Sequence, residues 1–483
     1  YDPNGSLVTT HTDQGSDLGL YSGLLGWTPE DERLPTYPTA LKEAGIEVDV
    51  RYESYDAPHP NFYRLELTGE SGSRYALDAI STGGGMIELI AIDGVSVPGA
   101  GDLELSVLWL SEEPPEAAEK VSWHPGEKGG LLVLSSREAL EDLEEFSREL
   151  GAERVRVLKA VLPILSRRNL TLPFETCAEM VALDGFEDSS IADQAIAYEA
   201  ARGGVDKAEV VERMREVMGI MRAAIETGLA GTEYADRILP SQSPGFTAAE
   251  LAGRLVPAEV NNRIIRYVSA IMEVKSSMGV IVAAPTAGSC GAMPGAVLAV
   301  ADAIGADDEQ AVRALLIAGL IGVFIARDAT FAAEEGGCMA ECGSGSSMAA
   351  AAIVYLMGGS AERSLAAASM ALQNNLGMIC DPVANRVEAP CLGRNVMAAT
   401  NALACANMAL AGYAHLVPLD EVIQTMNDVA KAMPRARRCA RRGGRSVGPT
   451  SKRIAGELAG RGCAGCGPAA ASKNPAEAAV AGE

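Results

Sequence analysis

Short apolar runs separated by polar turns fill the first third of the chain. Apolar and polar residues alternate over residues 46–52 (IEVDVRY) and 62–67 (FYRLEL), and such alternation is typical of half-buried strands. More continuous apolar runs at residues 86–92 and 103–110 predict two further strands. This part of the chain is therefore predicted to be rich in β-structure.

A strand–helix–strand pattern follows. Residues 131–134 (LLVL) and 155–161 predict strands. Between them, residues 135–150 predict a helix in which Ser135 and Glu138 have the spacing of a capping box. The pattern fits one βαβ unit of a small α+β module.

From about residue 174 the chain becomes rich in Ala, Met and Leu with helical periodicity. Residues 207–227 and 247–255 predict amphipathic surface helices. Stretches within residues 260–415 are apolar on nearly all faces, which is typical of helices in the middle of a bundle. The predicted fold class is an α+β N-terminal domain followed by a mostly all-α helical domain. Glycine-containing segments interrupt these helices at residues 284–295, 335–347 and 376–395.

Two uncharged stretches resemble membrane spans. Residues 276–301 contain two prolines and several glycines, which would leave backbone groups unpaired in lipid. Residues 314–326 are shorter than the roughly 20 residues that a span needs. Both stretches are predicted to be core elements, so no membrane partner is expected. The first residues lack the pattern of a secretory signal, and because the sequence begins with Tyr1 we expect a fragment of a longer chain.

Composition and charge exclude several classes of protein. Hydrophobic residues make up 48% and charged residues 22% of the 483 residues, the profile of a globular rather than a disordered protein. The net charge of −24 would repel phosphate backbones, so no nucleic-acid partner is expected. Ten cysteines are too few for a disulfide framework, and six of them lie between Cys290 and Cys405.

Three of these cysteines lie in segments rich in Gly and Pro: Cys338, Cys380 and Cys391. Their spacing matches no zinc-finger or ferredoxin pattern. One interpretation is that they simply pack in the core, as Cys177 and Cys405 are expected to do. The other is that three thiolates hold an open, Lewis-acidic iron site.

Four motifs give these cysteines a context. Together they make residues 278–433 closely resemble the α-chain part of the iron–sulfur-dependent L-serine dehydratases. Residues 23–35, 59–61 and 80–94 resemble the β-chain domain of that family more loosely, which implies both parts fused in one chain. The motifs are AAPTAGSCGAMPG (283–295), EEGGCMAECGSGSSMAAAA (334–352), NNLGMICDPV (374–383) and VEAPCLGRN (387–395).

The resemblance implies a four-iron, four-sulfur (4Fe-4S) cluster held by Cys338, Cys380 and Cys391, with one iron lacking a cysteine from that set. That iron would polarise the hydroxyl of L-serine, a base would take the α-proton, and the product would hydrolyse to pyruvate and ammonia. His11, in Thr-His-Thr-Asp, is the candidate catalytic histidine, with a solvated loop histidine as the alternative. The substrate-binding residues implied are Ser81, Gly84, Gly85, Thr286, Gly288, Ser289 and Asn375.

Several positions depart from the family pattern. The family's serine-rich N-terminal segment is absent, and Asn374 replaces a frequent His. Cys342, one helical turn from Cys338, is interpreted as buried packing, with contact to the cluster as the alternative. Some relatives place a cysteine at the C-terminus to bind the open iron; here Cys463 and Cys466 are the substitutes, with a disulfide or accidental pair as the alternative. The basic run at residues 431–461 is either a solvated face or a source of arginines that approach the anionic substrate.

The predicted domains are residues 1–165, residues 170–460 and a flexible tail at 461–483. Within the first, residues 129–161 correspond in order of elements to an ACT-type regulatory module. The resemblance further implies a cytoplasmic homodimer that acts in amino-acid catabolism and gluconeogenesis. Alternatives are a related lyase acting on L-threonine or L-cysteine, or a non-catalytic iron–sulfur sensor. A pyridoxal-phosphate dehydratase is disfavoured because no segment of the S-x-x-N-x-K type is found.

Overall fold

In the computed structural model, contacts divide the chain into two compact units, residues 1–7 with 51–170 and residues 8–50 with 171–483. Residues 8–50, which the sequence grouped with the N-terminal domain, thus fall in the second unit. The structure describes residues 1–12, 15–54, 57–83, 86–99, 101, 103–114, 121–136, 140, 142–160, 171–186, 190–439 and 442–460.

The described residues form an α+β region followed by a mostly helical region, which confirms the predicted fold class. The strands are β1 (Phe62–Thr68), β2 (Arg74–Gly83), β3 (Met86–Ile92), β4 (Val95–Gly99), β5 (Glu104–Leu110), β6 (Val121–Pro125), β7 (Gly130–Ser136) and β8 (Arg154–Leu158). The helices are α1 (Leu7–Thr10), α2 (Ser16–Leu24), α3 (Tyr37–Glu43), α4 (Leu143–Glu149), α5 (Cys177–Val181), α6 (Ile191–Gly203), α7 (Lys207–Ala230), α8 (Ser243–Leu251), α9 (Glu259–Ser276), α10 (Ala292–Ile304), α11 (Asp308–Asp328), α12 (Ala333–Cys338), α13 (Ser344–Leu356), α14 (Ala361–Gln373), α15 (Cys391–Leu410), α16 (Leu419–Ala432) and α17 (Pro449–Gly460).

The first unit contains two four-stranded sheets. One is an antiparallel meander in the order β1-β2-β3-β4. The other has the order β6-β7-β5-β8, and β5 pairs antiparallel with both β7 and β8. Because β7 and β8 therefore run parallel with β5 between them, the predicted strand–helix–strand pattern forms a split βαβ unit. Side chains from both sheets share one core: Ile92, Val97, Leu105, Val107, Leu131 and Val133.

Two predictions for the first 150 residues are wrong. Residues 46–52 form no strand, since their backbone has no partner strand in the described part of the chain and most of their side chains are exposed. The helix predicted from residue 135 begins only at Leu143, with Asp142 before it. Ser135, expected to cap that helix, instead lies in β7 opposite Leu105. Pairing with β5 satisfies the backbone of Ser135, and a strand there outcompetes the local capping signal.

The second unit is a bundle of closely packed helices. The predicted amphipathic helices are present as α7 and α8. Small residues allow α9 to approach its neighbours: a Cβ atom added to Gly228 would lie 2.3 Å from the Ala270 carbonyl oxygen. A Cβ at Gly295 would lie 2.6 Å from Cγ2 of Val268. The apolar interior consists mainly of α10, α11, α13 and α15, whose inner faces are fully buried.

Two segments of this bundle are long and apolar enough to cross a membrane by length and composition alone: Ala287–Ile304 and Asp308–Asp328. Within the fold, 72% and 67% of these segments are buried. Such burial is what the core helix of a globular bundle shows.

Candidate functional site

Cys338 lies at a break between two helices. Helix α12 contains Gly337 in a left-handed conformation (φ 65°), where an added Cβ would lie 2.7 Å from the carbonyl oxygen of Met378. After Cys338, residues Met339–Gly343 continue as a single wide turn of π-helix into α13. The sequence predicts that residues 335–347 interrupt the helices; instead this segment consists of short helical pieces joined by a kink at Gly337, where glycine permits a backbone conformation that is not helical.

Cys380 and Cys391 come from the irregular segment that joins α14 to α15. The backbone N–H of Cys380 donates to the carbonyl of Arg437, at 2.8 Å. Cys391 is the first residue of α15. The N–H of Met339 donates to the carbonyl of Met378, which fixes this segment against the one that carries Cys338.

The thiols of Cys338 and Cys380 and a carboxylate oxygen of Glu341 lie within 4.8 Å of one another. Hydrogen bonds to Cys338 and to Cys439 raise the pKa of the Cys380 thiol well above its usual value. Cys391 lies outside that trio, but burial and the nearby Cys338 raise the pKa of its thiol too. The three cysteines that the sequence predicted and Cys439 thus form a group of four buried thiols, with the thiol of Cys342 beside them.

Arg394 connects the cysteines to a buried carboxylate. Its Nη1 donates to Sγ of Cys338 at 3.0 Å, and its Nη2 donates to Asp381 at 2.7 Å. Arg445, from the basic run of the tail, binds the same carboxylate through Nε at 2.8 Å. Burial alone would raise the pKa of Asp381, but the hydrogen bonds from Arg445 and Arg394 outweigh it and lower that pKa. A guanidinium is thereby held rigidly against a thiol.

The PTAGSCG turn faces Glu341. Thr286 and Ser289 form a capping box of their own, and Oγ1 of Thr286 donates to Oε1 of Glu341 at 2.6 Å. A Cβ at Gly288 would lie 2.4 Å from that same oxygen, so glycine is required for the carboxylate to approach. Burial raises the pKa of Glu341 to about 7, although the Thr286 hydrogen bond opposes the shift. The turn that was expected to bind a substrate carboxylate holds the carboxylate of Glu341 in this structure.

Asn395 ties this turn to the cysteines. Its Oδ1 accepts from the N–H groups of Gly291 and Ala292, and its Nδ2 donates to the carbonyls of Gly288 and Cys391. Each of these partners is buried or belongs to the turn, and Asn395 itself is fully buried. One side chain therefore fixes the start of α10, the turn and the start of α15 together.

Other residues singled out in the sequence have different surroundings. Asn375 is buried and donates from Nδ2 to the carbonyl of Ala371 at 2.7 Å, within its own helix end. Asn374 donates to Asn401 and to Sγ of Cys405, away from the four thiols. Cys342 packs with Ala292 and Ala398 and accepts from Nδ2 of Asn395 at 3.6 Å; burial and the nearby Cys338 raise the pKa of its thiol, so it lies beside the proposed ligands.

His11 forms a buried pair with Asp17. Its Nδ1 lies 2.8 and 2.9 Å from the two carboxylate oxygens, and Thr12 donates to the same carboxylate at 3.2 Å. His11 is 8% exposed, so it is not a solvated loop histidine. In the other unit, Ser81 pairs with Ile87 in the first sheet, whereas Gly84 and Gly85 lie outside the described residues.

Lys275 is a site residue that sequence reasoning missed. It lies on α9, its Nζ donates to the carbonyl of Val387 at 2.6 Å, and burial lowers its pKa. Glu341, Arg394 and Cys439 were missed as well. Glu341 and Arg394 stand in the quoted motifs beside the predicted cysteines, which was a usable signal, whereas neither Lys275 nor Cys439 carries any local signal.

Most of the groups described here lie in or beside the four motifs, and comparison with known proteins identifies the family to which this part of the chain is similar. The profile of the serine dehydratase alpha chain family matches residues 174–445, more than half of the chain. The chain belongs to this family. The resemblance drawn from the motifs is thereby confirmed, and the matched range contains every cysteine of the four-thiol site.

The relatives differ in how much of their own length this chain covers. This chain is 36% identical over 287 residues to a probable L-serine dehydratase alpha chain of Bacillus subtilis, and the match covers 59% of this chain and 96% of that one. It is 34% identical over 280 residues to the L-serine dehydratase alpha chain of Peptoniphilus asaccharolyticus, with 58% and 96% covered. The L-serine dehydratase of Streptomyces coelicolor is 34% identical over 306 residues, with 62% of this chain and 64% of that one covered.

Proposed function

We propose that this protein is an L-serine ammonia-lyase that converts L-serine to pyruvate and ammonia and depends on a 4Fe-4S cluster held by Cys338, Cys380 and Cys391. One observation carries the proposal. Within the part of the chain that matches the family, buried thiols converge with a guanidinium and a carboxylate. Relatives named L-serine dehydratase support the choice of substrate.

The residues present fit an iron–sulfur cluster. Thiolates are the soft ligands that such clusters take, and the described site offers them buried and close together. Because the pKa values of the Cys380 and Cys391 thiols are raised, both thiols are protonated in the metal-free site, and iron binding would release these protons. Arg394 already donates to Cys338, so a positive charge is in place to offset the thiolates. Hydrogen bonds to a ligand sulfur are a usual way for a protein to tune such a site.

When bound, a cluster with one iron lacking a cysteine supplies a Lewis acid for the hydroxyl of serine. The chain's own residues would do the rest. Glu341 lies beside Cys338 and Cys380, where its carboxylate is placed to hold or pass a proton at Oε1. Asp17 accepts from Nδ1 of His11 and orients the ring, and this histidine would take the α-proton in the role that the sequence assigns to it.

The remaining binding residues are proposals of the same kind. The turn that binds Glu341 contains Thr286, Gly288 and Ser289. If the carboxylate of Glu341 moved away, the polar groups of this turn would bind the carboxylate of L-serine instead. Asn375 and the turn of Ser81, Gly84 and Gly85 keep their proposed roles in substrate binding. A cytoplasmic homodimer is the proposed form of the protein, and its charge of −24 supports a small-molecule rather than a nucleic-acid partner.

The experiment is turnover by anaerobically reconstituted protein of L-serine, L-threonine and L-cysteine, with ketoacid formation as the readout. Preferred turnover of L-serine is expected. Preference for L-threonine or L-cysteine would identify a related lyase instead, because the same Lewis acid would serve any β-leaving group. A loaded cluster with no turnover of any of the three would favour a sensor.

A further inference from the structure

Cys439 is a buried thiol that lies against the proposed cluster ligands. It is 4% exposed and packs with Ala333, Cys338 and Cys380 in one small cluster of buried residues. Its thiol is within hydrogen-bonding contact of the thiol of Cys380. It lies outside the motifs, in the basic run that the sequence assigned to a solvated face or to substrate binding.

Two backbone hydrogen bonds hold Cys439 in this position. Its N–H donates to the carbonyl of Ala333, on the helix that ends with Cys338, at 3.2 Å. Two residues earlier, the carbonyl of Arg437 accepts from the N–H of Cys380 at 2.8 Å. The segment from Arg437 to Cys439 is therefore bonded to both cysteine-bearing segments, and these backbone hydrogen bonds hold the Cys439 thiol at the site.

Ordinary packing cysteines in this chain have other neighbours. Cys405 accepts from Asn374 and donates to Asn401, and Cys177 lies at the start of α5 beside Asp420. Of the cysteines that the structure describes outside the motifs, Cys439 is the one that packs against proposed ligand cysteines, Cys338 and Cys380. Cys463 and Cys466, the sequence's candidates for the open iron, lie outside the described residues.

We propose that Cys439 is the fourth thiolate of the iron–sulfur site and binds, in the absence of substrate, the iron that Cys338, Cys380 and Cys391 leave without a cysteine. The inference rests on the proposed function. An iron–sulfur bond forms as the thiol gives its proton to solvent, and no oxidation state changes. When the hydroxyl of serine takes that position, the bond breaks and the thiolate takes up a proton. A soft thiolate at this distance from Cys380 is preferred over water by such an iron.

The experiment is Mössbauer spectroscopy of protein reconstituted anaerobically with the iron-57 isotope, without substrate. In the unsubstituted protein all four irons should show sulfur coordination. In Cys439→Ser about a quarter of the iron signal should move to oxygen coordination, while iron content stays at about four per chain. Cys405→Ser, a buried cysteine outside the site, is the matched control and should give the unsubstituted spectrum.

The unsubstituted protein tests the inference even if the Cys439→Ser variant fails to fold. If about a quarter of its iron already shows oxygen coordination without substrate, Cys439 is not a ligand and the inference is overturned. The inference also fails if the Cys463→Ser, Cys466→Ser double variant, rather than Cys439→Ser, changes the spectrum. Failure of the unsubstituted protein to take up any cluster would overturn the proposed function itself.

Discussion

Arg394 donates a hydrogen bond from Nη1 to Sγ of Cys338, at 3.0 Å, while its Nη2 is bonded to Asp381. The planar guanidinium presents one donor to the thiol and another to the carboxylate in a fixed geometry. Because Arg445 also binds Asp381, through Nε and Nη2, the carboxylate that anchors Arg394 is itself held in place. The motif VEAPCLGRN thus supplies, in Arg394, a positive charge that is held beside the thiol of Cys338.

Replacement of Arg394 by Lys tests this relationship. Lysine lacks the separate, coplanar donors with which the guanidinium reaches Cys338 and Asp381, so we expect L-serine turnover and iron affinity to fall by about 10- to 100-fold, the usual effect of losing a partner of a metal ligand. Turnover and iron content of the reconstituted variant measure the change. Arg313→Lys is the control, since Arg313 pairs with Asp193 and Glu309 on the surface. Equal loss in both variants would refute a specific role for Arg394.

Ligand identity is tested by single replacements of Cys338, Cys380 and Cys391 with Ser. Each should abolish the cluster absorbance at about 400 nm, because thiolate-to-iron charge transfer requires the intact cluster. Cys177→Ser and Cys405→Ser should retain it. A full-strength spectrum in Cys380→Ser would show that the ligands have been assigned wrongly.

Much of the fold follows from the sequence, but only where the local pattern and the tertiary environment agree. The apolar pattern predicts strands β1 and β3 correctly, because both have a neighbouring strand with which to pair. Residues 46–52 have the same alternation but no partner strand, and alternation alone cannot supply one. The glycine-containing segment of Cys338 is predicted to interrupt the helices, yet it is helical on both sides of a sharp turn at Gly337.

The residues of the candidate site are likewise predictable only where the nearby sequence carries a signal. The three motif cysteines could be named in advance because the motifs carry them. Cys439 and Lys275 could not, since they are brought to the site by backbone hydrogen bonds and by helix packing rather than by nearby sequence. The partner of Thr286 was also unpredictable: the turn was expected to bind a substrate carboxylate, and a side chain 55 residues away provides one.

Asn395 is expected to be essential for stability. Replacing it with Ala would leave the N–H groups of Gly291 and Ala292 without their acceptor, and two carbonyls without their donor. We expect the free energy of unfolding to fall by about 2–4 kcal/mol, since each buried unsatisfied group costs about 1–3 kcal/mol. Chemical denaturation measures this. Asn407→Ala, at an exposed position of the same helix, should change stability by less than about 0.5 kcal/mol; a similar loss there would contradict the argument.

Glu341 should give the metal-free protein a characteristic pH dependence. Burial raises its pKa to about 7, so the folded state holds the proton more tightly than the unfolded state does. This contribution to stability is complete below the ordinary carboxyl pKa of about 4.5 and is lost as pH rises through about 7. In Glu341→Gln that loss should vanish, whereas Glu362→Gln, at an exposed position, should behave as the unsubstituted protein. Parallel stability curves for Glu341→Gln and the unsubstituted protein between pH 4.5 and about 7 would contradict this.

The most direct test of the account follows iron content and L-serine turnover together. Protein reconstituted without oxygen is exposed to air and a chelator, then treated with ferrous iron and thiol, and both quantities are measured at each stage. The account predicts that turnover is lost as iron is lost and returns with it, because the iron that Cys338, Cys380 and Cys391 leave without a cysteine activates the substrate hydroxyl. Full L-serine turnover by iron-free protein would contradict the account.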